Sequence, residues 1–398
     1  MTQKNSLRII KMRDQLKSKD FQQPEKKPLR NIYIEQISAH LNQNTINVLI
    51  GQRRVGKSWI LKHFASKTLL ENVFSINFEK DTYIGNIDGT ELSELFFKNF
   101  LPGTHSGEKI YILLDEIQEV KNWHIFINDL LSHNDRLRFE ILISSSTSSV
   151  ILPILEEFFL KQTQLYHVVP FLYDEYSAFH PEGGTFQDYL QKSGLPEMIL
   201  LENTNQRELS ENYIISLQNT IIVEDIVKIF GAKDISLLKK LYFLLLKNCG
   251  KSISNNALTT RLKEENIMTN HNTIGQYVEY IVSTHLIHTV EIINQDGSLT
   301  NSRLYFMNDF GLVNYSSDQI IISENIKILN YLLLLLLRKN LRVYAILNSH
   351  GDINLCIKTS DGFSLLIEKG CKVQGSYKNF LEYEITHQGV KLDLEASF

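Results

Sequence analysis

An α/β fold built on a parallel sheet is predicted by three observations. Five short apolar runs alternate with helix-forming stretches: Ile46–Ile50, Val73–Phe78, Ile110–Leu114, Phe139–Ile143 and Leu165–Leu172. Runs of this length, bounded by turn residues, suit strands buried on both faces. The first run opens into a glycine-spaced loop followed by a helix, and the third ends in an acidic pair, Asp115-Glu116. Alternation of strand and helix places such strand ends along one edge of the sheet.

The first run carries the most specific signal. Ile46, Val48, Leu49 and Ile50 lead into Gly51-Gln52-Arg53-Arg54-Val55-Gly56-Lys57-Ser58, which fits G-x-x-x-x-G-K-[ST] at every fixed position. Ile60, Leu61 and Phe64 then mark the apolar side of a helix. In that context the motif is a phosphate loop, or Walker A element. Gly51 and Gly56 let backbone N–H groups turn inward, and the helix N-terminus adds its positive end. The cradle is Gly51, Arg53, Arg54, Val55, Gly56, Lys57, Ser58 and Trp59, and its ligand is ATP. Lys57 reaches the β- and γ-phosphates, and the Ser58 hydroxyl ligates Mg²⁺.

Asp115-Glu116 has the form of a Walker B element. Asp115 is expected to hold Mg²⁺, and Glu116 to orient and polarise the attacking water. After Phe139–Ile143 comes Ser144-Ser145-Ser146-Thr147, either a polar sensor of the γ-phosphate or a serine-rich turn.

The loop, LLDEIQEVKNW, the SSST turn, PFLYDEYSAF and SGLPEMIL together resemble a family of prokaryotic AAA-type ATPases. The resemblance covers roughly residues 30–375 and is strongest up to residue 200. It implies an AAA-type P-loop sheet, a winged-helix segment and a small α+β C-terminal domain of restriction-endonuclease type. Two departures matter. Where the family has Thr-Gly-Ser-Asn, this chain has Ser144 to Thr147, so the sensor becomes Thr147. Where the family has Gly-Arg before the fifth strand, this chain has Lys161-Gln162. An arginine near the γ-phosphate supplies ~10³–10⁵ in rate, and lysine lacks its planar fork. Slow or partner-stimulated hydrolysis is therefore expected, with Gln162→Arg raising turnover.

The rest of the chain is organised around that core. Residues 1–30 form a polar, basic lead-in, 31–204 the ATPase domain, 205–318 a helical linker and winged helix, and 319–398 a degenerate nuclease-like domain. A helix over 31–42 precedes the first strand, and another lies around Glu91–Phe100. The winged helix comprises Ala257–Glu264, a cap at Asn270, Thr273–Thr284, and strands Leu286–Ile293 and Arg303–Met307. Such a segment either reads DNA or docks a partner, but its outer face (Asn272, Gly275, Gln276, Glu279) is not basic. In the end domain Asn354 replaces an expected acid, and Ile367-Glu368-Lys369 lacks the Glu-x-Lys alternation of a working nuclease. Glu324, Asp352, Glu368 and Lys369 would have to converge for metal chemistry.

Composition agrees with a soluble protein of about two or three domains: 398 residues, 43% hydrophobic, 22% charged, formal net charge −4. That charge gives no general attraction to nucleic acid. Cys249, Cys356 and Cys371 are too scattered for a disulfide framework or a metal site, which points to a reducing, cytoplasmic setting. No signal peptide is recognised, and the apolar run Tyr331–Leu337 is too short for a bilayer, so no membrane association is expected. The expected function is an ATP·Mg²⁺-driven conformational switch. The alternatives are a DNA-directed effector whose ATPase gates a nuclease, and a non-hydrolysing scaffold; a protein partner or homo-oligomer suits all three.

Overall fold

The computed structural model describes residues 30–392 apart from 68–72, 82–86, 104–108, 134–137, 181–183, 203–206, 295–296, 316–319, 348–351, 360–361, 369–378 and 387–388. The expected lead-in, except for Arg30, lies outside the described residues. The chain divides into two compact units. One comprises residues up to Gly51 together with Gly56–Val168, the other Gln52–Val55 together with Val169–Phe398.

In the first unit α1 (Asn31–Ala39) leads to β1 (Ile46–Ile50), α2 (Lys57–Lys67), β2 (Val73–Asn77), α3 (Gly89–Leu95), β3 (Lys109–Asp115), α4 (Trp123–Ser132), β4 (Arg138–Ser145), α5 (Ser148–Phe159) and β5 (Thr163–His167). The strands are all parallel, in the order β2-β3-β4-β1-β5. β1 lies inside the sheet between β4 and β5, and open parallel sheets bind ligands beyond the carboxyl ends of their strands. β1 is buried throughout, as its apolar run requires. Its one polar residue, Asn47, accepts at Oδ1 from the Tyr166 hydroxyl at 2.9 Å. Phe74, Phe96 and Phe126 meet edge to face at 5.0–6.3 Å and close the core beside Ile112 and Ile141.

Element boundaries differ from the sequence expectation in three places. β5 ends at His167 rather than Leu172. Pro170 has no N–H for a ladder, and the Phe171 N–H turns away to the Gly194 carbonyl at 2.8 Å. α1 stops at Ala39, because Asn42 enters the left-handed region at φ 65° and donates its N–H to Glu140 Oε1 at 3.0 Å. α3 starts earlier, capped by Asp88, and becomes a π-helical turn over Phe96–Phe100.

The second unit contains α6 (Tyr173–Phe179), α7 (Phe186–Tyr189), α8 (Pro196–Glu202) and α9 (Arg207–Thr220), which passes into a π-helical turn at Ile221–Val227. Then come α10 (Ile235–Lys247), β6 (Ser252–Ile253), α11 (Asn255–Glu264), α12 (His271–Ser283), β7 (Ile287–Ile293) and β8 (Leu299–Met307). Ser254 caps α11 and Asn270 caps α12. α13 (Glu324–Arg338) follows, then β9 (Val343–Leu347), β10 (Ile353–Thr359), β11 (Gly362–Glu368), β12 (Asn379–Thr386) and β13 (Gly389–Leu392). All eight strands form one mixed sheet, ordered β13-β12-β11-β10-β9-β7-β8-β6. β7 joins the hairpin to the end strands by parallel pairing, Glu291 with Tyr344 and Ile292 with Ala345. The boundary expected at 318/319 thus runs through a continuous sheet, and that at 204/205 lies inside the second unit. β12 and β13 went unforeseen, although Leu381, Tyr383 and Ile385 alternate with Glu382 and Glu384 at the period of a strand.

α13 buries Tyr331 to Leu336, and among the described residues no helix is long and apolar enough to cross a membrane. Cys249 and Cys356 are buried free thiols, and Cys371 lies outside the described residues. The SGLPE segment is anchored by Asp309, which accepts from Ser193 Oγ at 2.7 Å, Gly194 N at 2.7 Å and Gly311 N at 2.8 Å. Burial pushes this carboxyl up to about 6 against those bonds. Asp309→Ala leaves three donors without their acceptor and is expected to cost roughly 2–3 kcal/mol, read as a lower urea midpoint with unchanged slope.

Candidate functional site

The site grows from the carboxyl ends of β1, β3 and β4. After β1 the chain must bend at once, because Gly51 lies against β5's continuation: a Cβ there would meet the Val168 carbonyl oxygen at 2.2 Å. Only glycine fits that approach. Gly56 takes φ +103°, and Arg54 between them φ +69°. Lys57 then begins α2, with Trp59 N and Ile60 N donating to the Gly56 carbonyl at 3.1 and 3.0 Å. The loop backbone and the helix start are thereby set at one place, the arrangement that binds phosphate.

Lys57 is buried between two oxygens. Its Nζ donates to the Gly51 carbonyl at 2.9 Å and lies 3.3 Å from Glu116 Oε1. Ser58 hydrogen-bonds to Asp115, as does Ser144 Oγ, and Asn77 Nδ2 donates to the second Asp115 oxygen. Burial first, and then the neighbouring Glu116 carboxylate, push Asp115 above the usual range; the hydroxyls and Lys57 oppose this. Glu116 stands in the left-handed region at φ 56°. Its Oε2 accepts from Gln118 Nε2 at 2.7 Å and from Ser146 N at 3.1 Å. A hydroxyl and one carboxylate, both hard oxygens, suit Mg²⁺, which takes few protein ligands and completes its shell with water and phosphate. The Gly51 cradle, the ammonium of Lys57 and this oxygen pair all fit a magnesium-bound nucleotide.

The remaining expected residues divide in placement. Val55 is fully buried, and Trp59 stacks on His63 with ring centroids 4.9 Å apart. Arg53 is turned to a carboxylate: Nε reaches both oxygens of Asp225 at 2.8 and 2.7 Å, and Nη2 reaches Oδ1 at 2.7 Å. Gln52 Oε1 accepts from Asn308 Nδ2 at 2.8 Å. Arg54 is exposed. Thr147 is buried with its hydroxyl out of hydrogen-bond contact, and the hydroxyl that touches Asp115 belongs to Ser144. Lys161 and Gln162 lie at the opposite edge of the sheet, since the Gln162 carbonyl accepts from Ile46 N, the first residue of β1, at 2.6 Å. Five residues at ~3.3 Å each separate that edge from Gly51, roughly 16 Å. A cation at 162 cannot serve the phosphate loop of its own chain, which corrects the expected gain from Gln162→Arg.

Asn77, Gln118 and Ser146 were not singled out from sequence. Asn77 had a signal, because it ends β2 as Asp115 ends β3, and parallel pairing sets the two side by side. Asp225 and Asn308 had none. In the tail, Glu324 and Asp352 are exposed, while the Glu368 side chain and Lys369 lie outside the described residues. Among the described residues no group of three or more His, Cys, Asp and Glu is placed to hold a metal.

Residues 43–177 match the family model described as an AAA domain, and with the sheet order and loop above they form an AAA-type P-loop ATPase domain. Residues 183–319 match a domain of unknown function, DUF8612. The chain is 25% identical over 298 residues to an uncharacterized protein of Haemophilus influenzae, a match spanning 71% of this chain and 72% of that one. It is 27% identical over 296 residues to an uncharacterized protein of Methanocaldococcus jannaschii, spanning 70% of this chain and 64% of the longer relative. Among solved structures, a Walker-type ATPase of Pyrococcus abyssi aligns at TM-score 0.49 and 13% identity, over 74% of this chain and 99% of that one. The ORC2 protein of Aeropyrum pernix aligns at 0.40 and 11%, over 79% and 97%.

Proposed function

We propose that the protein binds ATP with Mg²⁺ and uses binding and slow hydrolysis as a conformational switch. The observation that carries this reading is the Lys57–Glu116 ion pair within a complete phosphate loop. Phosphate oxygens drawing on the same ammonium weaken its hold on Glu116 and free that carboxylate to act as a base. Ser58 and Asp115 are the residues to hold Mg²⁺, which supplies charge neutralisation at the β- and γ-phosphates when bound. Glu116 then takes a proton from the attacking water, held in place by Gln118 and Ser146. A catalytic cation at the Lys161–Gln162 edge would have to act on a neighbouring copy, so the isolated chain turns over slowly.

We assign α11, α12 and the β7–β8 hairpin to a winged-helix docking element in preference to a DNA reader. The exposed residues of α12 include His271, Asn272, Gln276 and Glu279 but no lysine or arginine, and Glu279 is paired with Arg303 at the hairpin. Phosphate contacts need a basic face. Calorimetry of ATP·Mg²⁺ binding tests the first proposal: Lys57→Ala should weaken affinity at least ~100-fold. Normal affinity in that variant would sink the site. Wild-type turnover should stay below ~10 s⁻¹ and not respond to duplex DNA; DNA acceleration or Mg²⁺-dependent cleavage would favour the effector reading.

A further inference from the structure

The first unit holds a buried arginine beside the phosphate loop. Arg30 immediately precedes α1, is only 2% exposed, and takes φ 43°, ψ 37°. A residue with a Cβ rarely adopts that conformation, and such outliers cluster at ligand sites. Its carbonyl accepts the Tyr33 N–H at 3.0 Å, so the αL turn is built into the start of the helix. The guanidinium lies over the Tyr33 ring, 5.4 Å from its centroid. Tyr33 is itself fixed, donating its hydroxyl to the carbonyl of His167, the last residue of β5, at 3.1 Å. Contact with the ring favours a cation at this position. The Nε then lies 3.9 Å from where a Cβ on Gly56 would stand, beside the phosphate loop and one residue from Lys57.

The other two arginines of this neighbourhood are differently disposed. Arg53 is matched to Asp225, and Arg54 is exposed. Arg30 alone of the three combines burial, an aromatic plate and contact distance to Gly56. We infer that Arg30 is a phosphate-binding residue of the nucleotide site, its guanidinium taking the diphosphate moiety shared by ATP and ADP. The inference rests on the ATP-binding reading above. Guanidinium suits it, offering five donors in a rigid fork, two of which can pair with phosphate oxygens in parallel.

The test is calorimetry with ATP, ADP and AMP on wild type, Arg30→Ala, Arg30→Lys and Lys57→Ala, beside the nucleotide-free melting temperature of each. Arg30→Ala should lose ATP and ADP affinity by about 10–100-fold, change little toward AMP, and regain part of the loss when low-millimolar guanidinium is added. Arg30→Lys should fall between the two and, keeping the charge, carries the test if the alanine variant does not fold. If Lys57→Ala loses ATP while both Arg30 variants bind ATP and ADP like wild type, the Arg30 assignment is overturned alone. Equal losses for AMP and ADP with no guanidinium rescue would also overturn it, by making Arg30 a purely structural support. Normal ATP binding by Lys57→Ala removes the site itself.

Discussion

Glu116→Gln is expected to abolish steady-state ATP turnover to within a ~10²–10⁴-fold loss while ATP binds at least as tightly as to wild type. The two halves of that expectation come from different oxygens. Oε2 is held by Gln118 Nε2 and Ser146 N, contacts an amide oxygen can keep. Oε1 faces Lys57 Nζ at 3.3 Å, where an amide carries no charge to compete with phosphate for the ammonium. Binding thus loses a competitor as hydrolysis loses its base. Single-turnover hydrolysis and equilibrium binding on the same protein separate the effects. Retained turnover would show that another group activates the water; Asp115 is then the first to replace.

Asp225→Ala should be the most destabilising single change near the loop, at about 3–5 kcal/mol, because it strips the partner from a largely buried guanidinium. The pair is three-pointed, both carboxylate oxygens receiving Nε and one also receiving Nη2, so no other residue substitutes easily. Asp225 is 1% exposed on the π-helical turn that extends α9. Replacing both partners removes the orphaned charge, and Arg53→Ala/Asp225→Ala should recover at least ~2 kcal/mol relative to Asp225→Ala. Urea unfolding of the four proteins of this cycle gives the coupling directly. Additive losses would mean the pair is replaced by solvent at little cost.

How much of this was legible depended on the range of the interaction. The phosphate loop and the Asp115-Glu116 pair are local words, and parallel-strand logic alone brings them to one edge. Arg30 was hidden because nothing local marks it. Its role depends on an αL turn and on Tyr33, whose hydroxyl is fixed by a residue far along the chain. Asp225 and Asn308 were hidden for the same reason, lying 172 and 256 residues from their loop partners Arg53 and Gln52. The sensor reading falls on Thr147 because counting along a polar run cannot tell which hydroxyl faces the acids; register places Ser144 beside Leu49 near the end of β1, and its hydroxyl touches Asp115. Gln162 was misjudged by sequence proximity to β5. It is close to the strand's start, and the chemistry is at the strand's finish.

The parallel pairing of β7 with β9 also bears on how this protein can be divided. A chain ended at residue 318 would keep the β7–β8 hairpin but lose β9, baring a line of backbone N–H and C=O groups on β7. Exposed strand edges recruit whatever extended segment they meet, commonly another copy. Self-association of such a fragment would therefore report the missing strand and say nothing of the intact protein's assembly.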